Sequence, residues 1–248
     1  MTLRQISAIH FDGHSEAAKK RVQRLKVAGY ISERPRATNE PTIHFLTCKA
    51  FDALIQDGML SDIPSIEWGA QEKRIRVSHF TLRHELGVMD CKAALITAIR
   101  SLAELSLVEF STWPLRNQFK VIHSGTGNGV LVKPDGFIHM ENACAVVKSL
   151  YFFLEVDYST ESLDTLAAKI LCYRNRYRHG GFAKQFGYRA EEYRKFPFRT
   201  LVVCKTAERR DNLSKRLRIS IPPIKTFAVL TTCEEFMSNP LKVIDQVK

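Results

Sequence analysis

The spacing of apolar residues in the N-terminal region predicts helices arranged around a β-hairpin. Ala18, Val22 and Leu25 recur at helical spacing within residues 15–28. Ser15 is the expected N-cap of this helix, and an Asp12-Gly13-His14 turn precedes it. The same region contains a shorter predicted helix at residues 3–11, two β-prone runs at 30–33 and 42–46, and a third helix at 47–57. This order is typical of a winged helix-turn-helix.

The faces of the residue 15–28 helix that lie off its apolar stripe are strongly basic. In a winged-helix module the second helix enters the major groove, while the wing places cations on the backbone or in the minor groove. The alternative is a surface helix whose charges serve only to solvate it. The expected DNA contacts are Lys19, Lys20, Arg21, Arg24 and, in the wing, Arg36.

The middle of the chain is predicted to be helical. Residues 75–86 and 90–105 are predicted as two helices separated by Gly87 and Val88. We therefore expect three parts: a winged helix at residues 1–60, a helical connector at 61–106 and an α/β domain at 107–248.

From residue 107 the spacing of apolar residues changes from the helical period to the alternation typical of strands. Strands are predicted at 107–113, 119–123, 129–140 and 145–156, and a helix follows Ser162. The glycines at 125, 127 and 129 are interpreted as a hairpin turn, because the Lys-Ser/Thr of a phosphate loop is missing. The remaining predicted elements are a strand at 200–204, a helix at 207–217, a strand at 226–231 and a helix beginning at 233–237.

Three carboxylates mark the ends of two predicted strands. Asp135 follows Pro134 where a strand resumes after a bend, and Glu155 and Asp157 end a strongly apolar strand. Strand alternation puts Glu155 and Asp157 on one face. If the neighbouring strand brings Asp135 alongside, the three oxygen ligands would suit Mg²⁺ or Mn²⁺, which could polarise a phosphate and activate water. A structural role, capping or pairing with nearby arginines, is the alternative.

These motifs resemble known proteins. Pro-Asp before one strand and Glu on the next is similar to the PD-(D/E)XK nuclease core. More narrowly, the chain resembles the replication-relaxation family of plasmid and mobile-element proteins. The segments that carry this resemblance are, in order, a winged helix, residues 84–90, Pro134-Asp135-Gly136, Phe153-Leu154-Glu155-Val156-Asp157, Ser159-Thr160-Glu161, and then Lys169 and Tyr173.

The resemblance implies an α/β (α+β) protein: an N-terminal winged helix-turn-helix followed by a restriction-endonuclease-like mixed sheet flanked by helices. In the nuclease pattern a lysine stands two residues after the glutamate, where this chain has Asp157. Lys169 in the next helix is the candidate replacement. The implied catalytic residues are therefore Asp135, Glu155, Asp157 and Lys169. The absence of a lysine at position 157 also agrees with a nuclease fold that binds DNA without cutting it.

A basic stretch follows these motifs. Residues 161–220 hold fifteen Lys or Arg against six Asp or Glu, and aromatic residues interleave with the cations. Tyr173 and Tyr177 fall on the apolar stripe of their helix and are expected in the core. The candidate phosphate contacts are Arg174, Arg176, Arg178 and Lys184.

Composition and charge limit the classes of protein to which this chain can belong. The chain has 248 residues, a formal net charge of +11 and six widely spaced cysteines, so a polyanion is the first partner to expect and a disulfide framework is not. No segment approaches the ~20 apolar residues of a membrane span, and we expect a cytoplasmic protein.

The resemblance implies a double-stranded-DNA-binding accessory factor of plasmid or mobile-element replication or mobilisation. It would act with a relaxase or replication initiator as nicking partner, and a homodimer agrees with this role. The alternatives are a Mg²⁺-dependent endonuclease and a transcriptional regulator.

Overall fold

A computed structural model describes residues 1–36, 38–61, 67–112, 117–122, 129–145 and 148–245. The chain divides into two compact units, Met1–Thr97 and Ala98–Lys248. Most of the expected connector at residues 61–106 therefore belongs to the first unit. No helix in the described ranges is long and apolar enough to cross a membrane.

The first unit contains the predicted helices and hairpin. Strands β1 and β2 pair in antiparallel fashion, with Ser32 opposite Phe45. The bounds of its elements are α1 Leu3–His10, α2 Ser15–Val27, β1 Ile31–Glu33, β2 His44–Leu46, α3 Cys48–Gln56, α4 Trp68–Ile75 and α5 His79–Ile99.

The apolar stripe of α2 packs inward as its spacing predicts. Ala18 and Val22 are buried, and the turn before the helix uses positive φ at Asp12 and Gly13. Ser15 was expected to cap α2, but it is the first helical residue, and His14 occupies the N-cap without a side-chain bond.

The prediction of two helices at residues 75–86 and 90–105 is wrong. A single helix, α5, continues through Gly87 and Val88. One glycine inside a helix costs about 1 kcal/mol, and the burial of Val88, Cys91 and Leu95 outweighs that cost. Helix α4 was not predicted.

The second unit has the strands and helices that carry the predicted acids. Its strands are β3 Leu105–Ser111, β4 Phe119–Ile122, β5 Gly129–Val132, β6 Gly136–Asn142, β7 Ser149–Asp157, β8 Phe198–Cys204 and β9 Ala228–Thr232. Its helices are α6 Leu163–Arg178, α7 Gly181–Gln185, a 3₁₀ helix Ala190–Lys195, α8 Ala207–Arg218, α9 Cys233–Ser238 and α10 Lys242–Asp245.

A mixed sheet flanked by helices organises this unit, which confirms the predicted fold class. Within the described ranges its five strands run in the order β3-β6-β7-β8-β9. The β3-β6-β7 pairs are antiparallel, and β7-β8-β9 are parallel. The predicted strand at 129–140 is two strands, because the chain bends at Asp135, directly after Pro134. Strand β5 pairs with β4 in a separate two-stranded sheet, and β6 joins the main sheet. The glycines at 125 and 127 lie outside the described residues.

Phe153 of β7 lies at the centre of the core of the second unit. Its ring centroid is 4.9 Å from that of Phe198, 5.1 Å from Tyr173 and 5.3 Å from Phe137. Tyr173 is fully buried, as its place on the apolar stripe predicts. This aromatic cluster holds α6 against the face of the sheet that also carries Glu155.

Candidate functional site

Strand pairing places Asp135 beside Glu155. Asp135 immediately precedes β6, and its main-chain N–H donates to the carbonyl of Leu154 at 3.1 Å. Its carboxylate Oδ2 accepts from the N–H of Val156 at 2.8 Å. The Asp135 side chain therefore extends the β6–β7 ladder by one step, at the position that flanks Glu155.

Helix α6 supplies two hydrogen-bond donors to Glu155. Ser162 caps this helix by accepting from the N–H of Thr165 at 3.0 Å. Lys169 and Tyr173 lie one turn apart on the face that meets β7. Lys169 Nζ donates to Oε2 of Glu155 at 2.5 Å, and the Tyr173 hydroxyl donates to Oε1.

Burial governs the electrostatics of this cluster. Desolvation, reinforced by the charge of Asp135, raises the pKa of Glu155 to about 8, against the opposing effects of Lys169 and Tyr173. Burial acts to lower the pKa of Lys169, but the carboxylates of Glu155 and Asp135 outweigh it, so that pKa is raised. Burial and the Glu155 carboxylate also raise the pKa of the Tyr173 phenol. The protonation of Glu155 is therefore coupled to the charges of Asp135 and Lys169.

Asp157 has a different partner. Arg209, in the first turn of α8, donates from Nε to Asp157 Oδ2 at 2.6 Å and from Nη2 to Oδ1 at 3.3 Å. The N–H of Ser159 adds a bond to Oδ1 at 2.9 Å. Arg209 Nη2 also donates to the carbonyl of Glu161 at 2.6 Å. Asp157 is thus an acid paired with an arginine, and its catalytic role stays a prediction.

Two of the three acids already have hydrogen-bond donors on both carboxylate oxygens. Both carboxylate oxygens of Glu155 and both of Asp157 already accept hydrogen bonds. Among the described residues, no group of three or more His, Cys, Asp or Glu side chains is placed to hold a metal ion. The structure places Asp135 beside Glu155 and pairs Asp157 with Arg209, and the three-carboxylate Mg²⁺ or Mn²⁺ site stays a prediction.

The basic residues predicted on α2 are on the surface. This helix exposes Lys19, Lys20, Arg21 and Arg24 to solvent. In the hairpin connection, Arg36 is also exposed, and its Nη1 donates to the carbonyls of Thr38 and Glu40. The first unit therefore presents exposed cations on α2 and an exposed arginine in the hairpin connection.

The four basic residues predicted to contact phosphate in the second unit differ in their exposure to solvent. Arg174 is buried, and its Nη1 donates to the carbonyls of Pro222 and Pro223. Arg176 is half-buried, lies over the ring of Phe119 and donates to Gln185. Both arginines contact neighbouring elements of the fold, and Arg176 stays partly exposed. Arg178 and Lys184 are exposed.

A comparison with models of protein families shows the family to which the chain is related. The model of a family described as replication-relaxation matches residues 1–189. The chain belongs to the replication-relaxation family. Membership confirms the resemblance seen in the sequence and indicates a role in the replication or mobilisation of plasmids or mobile elements. No curated protein and no solved structure gives a significant match.

Two contacts of this replication-relaxation protein could not be found in its sequence. The match contains Asp135, Glu155, Lys169 and Tyr173, whereas Arg209 lies beyond its last residue. The helical stripe assigned Tyr173 to the core without showing that its hydroxyl reaches Glu155. Arg209 is 52 residues from Asp157 along the chain, and neither motif nor spacing links them.

Proposed function

We propose that this protein is a DNA-binding accessory factor of plasmid or mobile-element replication or mobilisation, which acts with a relaxase or replication initiator. The observation that supports this most strongly is the exposed cationic face of α2, within the element order of a winged helix. Second helices of this kind read the major groove, and exposed cations nearby contact phosphates.

Charge and topology support the proposal independently. A net charge of +11 favours association with a polyanion. Ala18 and Val22 anchor α2 through its opposite face, so the cations Lys20 and Arg24 project from a helix fixed in place. DNA binding would then cost little conformational entropy in the backbone of this helix.

Complementation in the host tests this proposal. A plasmid or element from which the gene is deleted should replicate or transfer less efficiently, and the wild-type gene should restore it. Lys20→Ala/Arg24→Ala should not restore it. Lys73→Ala/Arg76→Ala, which removes two exposed charges at the C-terminal end of α4, should restore it. Equal rescue by both variants would contradict DNA recognition through α2. A change confined to transcription of neighbouring genes would favour the regulator alternative.

Endonuclease activity is the second candidate, and the approach of Asp135, Glu155 and Lys169 favours it. A carboxylate pair beside a lysine has the composition of a nuclease site, with Lys169 replacing the lysine missing at 157. Incubation of supercoiled plasmid with the protein and Mn²⁺ distinguishes the candidates. Nicking that Asp135→Asn abolishes while DNA binding persists would establish the enzyme. Binding without nicking is the outcome that the accessory role requires.

A further inference from the structure

The segment after α8 displays two apolar side chains to solvent on a firmly held loop. Ile219 is 71% exposed and Ile221 is 92% exposed. Between them, Ser220 is buried, and its hydroxyl lies within hydrogen-bond distance of the carbonyls of Leu217 and Pro222. Ile224 is buried as well, with its N–H bonded to the carbonyl of Leu217 at 3.0 Å.

Arg174 fixes the far side of this loop. Its guanidinium donates to the carbonyls of Pro222 at 3.1 Å and Pro223 at 3.3 Å. A buried arginine thus holds the loop from beneath, so the two isoleucines are presented with little freedom to fold inward. Exposing apolar side chains to water is unfavourable, and apolar side chains that are nevertheless held exposed are typical of a contact surface.

Unpaired positive charge surrounds the isoleucines. Residues 215–225 contain Lys215, Arg216, Arg218 and Lys225 and no acid. Arg216 pairs with Asp164, whereas Lys215, Arg218 and Lys225 have no ion-pair partner among the residues that the structure describes. A negatively charged partner therefore complements this loop better than a second copy of this basic chain would.

A pocket of about 250 Å³ adjoins the loop. Arg210, Ser214, Arg218 and Lys225 contribute its polar lining, and Leu217, Ile224 and Leu230 are among its apolar residues. Asp211 also borders it, but its carboxylate is bonded to Arg210 Nε at 2.9 Å. Two free cations and a hydroxyl around a small pocket can receive one phosphate group.

We propose that the α8 C-terminus and the loop that follows form a second DNA contact, in which Arg218 and Lys225 bind a backbone phosphate and Ile219 and Ile221 pack into the minor groove. Apolar side chains flanked by cations are the means by which proteins wedge into that groove. This inference rests on the proposed function, and it adds a contact in the second unit to the one on α2.

Binding of the full chain to duplex DNA at several salt concentrations tests the phosphate contact. Arg218→Ala/Lys225→Ala should weaken binding about tenfold at moderate salt and reduce the salt slope by about 1–2. The matched control is Arg189→Ala/Lys195→Ala, which removes two exposed charges that both pair with Glu192 in the same unit. Equal effects of the two variants would overturn the assignment.

Duplexes containing 2-aminopurine test the isoleucines. Wild type should raise the fluorescence of a probe at the contacted step, because wedging unstacks it. Ile219→Ser/Ile221→Ser should abolish that rise without changing the salt slope, whereas Met59→Ser, another exposed apolar residue, should not. An unchanged fluorescence signal in the isoleucine variant overturns the groove contact.

Failure of this inference is distinguishable from failure of the proposed function. Wild type that does not bind DNA contradicts both. If the α2 variant weakens DNA binding but neither loop variant does, the loop contact alone is wrong. Binding of wild type to phosphatidylserine vesicles that depends on Ile219 and Ile221, with DNA binding unaffected, would assign the loop to a lipid surface and also overturn the inference.

Discussion

Asp135 reaches β7 through the main chain of Val156, whose N–H donates to its carboxylate at 2.8 Å. This bond sets the acid beside Glu155. Asparagine can accept the same hydrogen bond through its amide oxygen. Asp135→Asn is therefore a substitution that removes charge and keeps geometry, which makes the electrostatics of the cluster accessible to experiment.

The stability of the second unit should fall as pH rises from about 4.5 to about 8. Below its ordinary pKa of 4.5, Glu155 is protonated both folded and unfolded; above it, the unfolded chain ionises while the folded chain retains the proton until about pH 8. Wild type should lose stability relative to Glu155→Gln over this window, by on the order of 2–4 kcal/mol. Urea unfolding at several pH values measures the difference.

Asp135→Asn is the companion variant, because the charge of Asp135 contributes to the raised pKa of Glu155. Its pH-dependent loss of stability should end at a lower pH than in wild type. An identical profile in Asp135→Asn and wild type would mean that burial alone controls Glu155. A profile without any wild-type change between pH 5 and 8 would contradict the raised pKa itself.

Two arginines of α8 should differ in their importance for stability. The side chains of Arg209 and Asp157 are 16% and 5% exposed, whereas those of Arg216 and Asp164 are 38% and 73% exposed. Arg209→Ala leaves a buried carboxylate without its partner and should cost about 3–5 kcal/mol. Arg216→Ala should cost about 0–1 kcal/mol. Chemical denaturation of both variants at pH 7 tests this, and similar losses would refute the distinction.

DNA affinity should depend on the exposed face of α2. Lys20→Ala/Arg24→Ala should leave the melting temperature nearly unchanged, because both residues lie off the buried stripe. It should lower the slope of log K against log salt by about 2, since each phosphate contact contributes about 0.9. Fluorescence anisotropy from low to moderate salt measures the slope, with Lys73→Ala/Arg76→Ala as the control of equal charge. A collapsed fold would show that the face is packed instead.

Gly180 and Gly187 provide a matched test of backbone conformation. Both have positive φ, of +67° and +78°. A Cβ on Gly180 would lie 2.3 Å from the Cα of Ala190, whereas one on Gly187 meets no atom within 4 Å. Gly187→Ala should cost about 1 kcal/mol from φ alone, and Gly180→Ala several times more. Equal melting temperatures for the two variants would contradict the close approach at Gly180.

Elements with a regular apolar pattern were predictable. The Ala18 and Val22 stripe gave the inward face of α2, and the apolar run before Glu155 gave the end of β7. A local signal failed where burial overrode it, because α5 continues through Gly87. The bend near Pro134 was expected, but the sequence did not show that the strand before it and the strand after it join different sheets.

The acids of the site were visible in the sequence, but their partners were not. The sequence singled out Lys169 as the candidate for the missing lysine because it falls in the next helix, and the structure places its Nζ on Glu155. The assignment of Asp157 to Arg209 depends on how α8 packs after β8, which is a property of the folded unit. The same limit applies to Arg174, whose position in the basic stretch gave no sign that it holds the carbonyls of Pro222 and Pro223.

Strand β7 is bonded on both edges, to β6 and to β8, and residues 151–157 along it are all buried. Its amide protons should exchange with solvent only when the whole unit unfolds. Glu155 and Asp157 are therefore attached to the slowest-exchanging part of the molecule. A rearrangement that opens their oxygens to a ligand would come from the side chains of α6 and α8, so the acids form the fixed half of the site and Lys169 and Arg209 form its adjustable half.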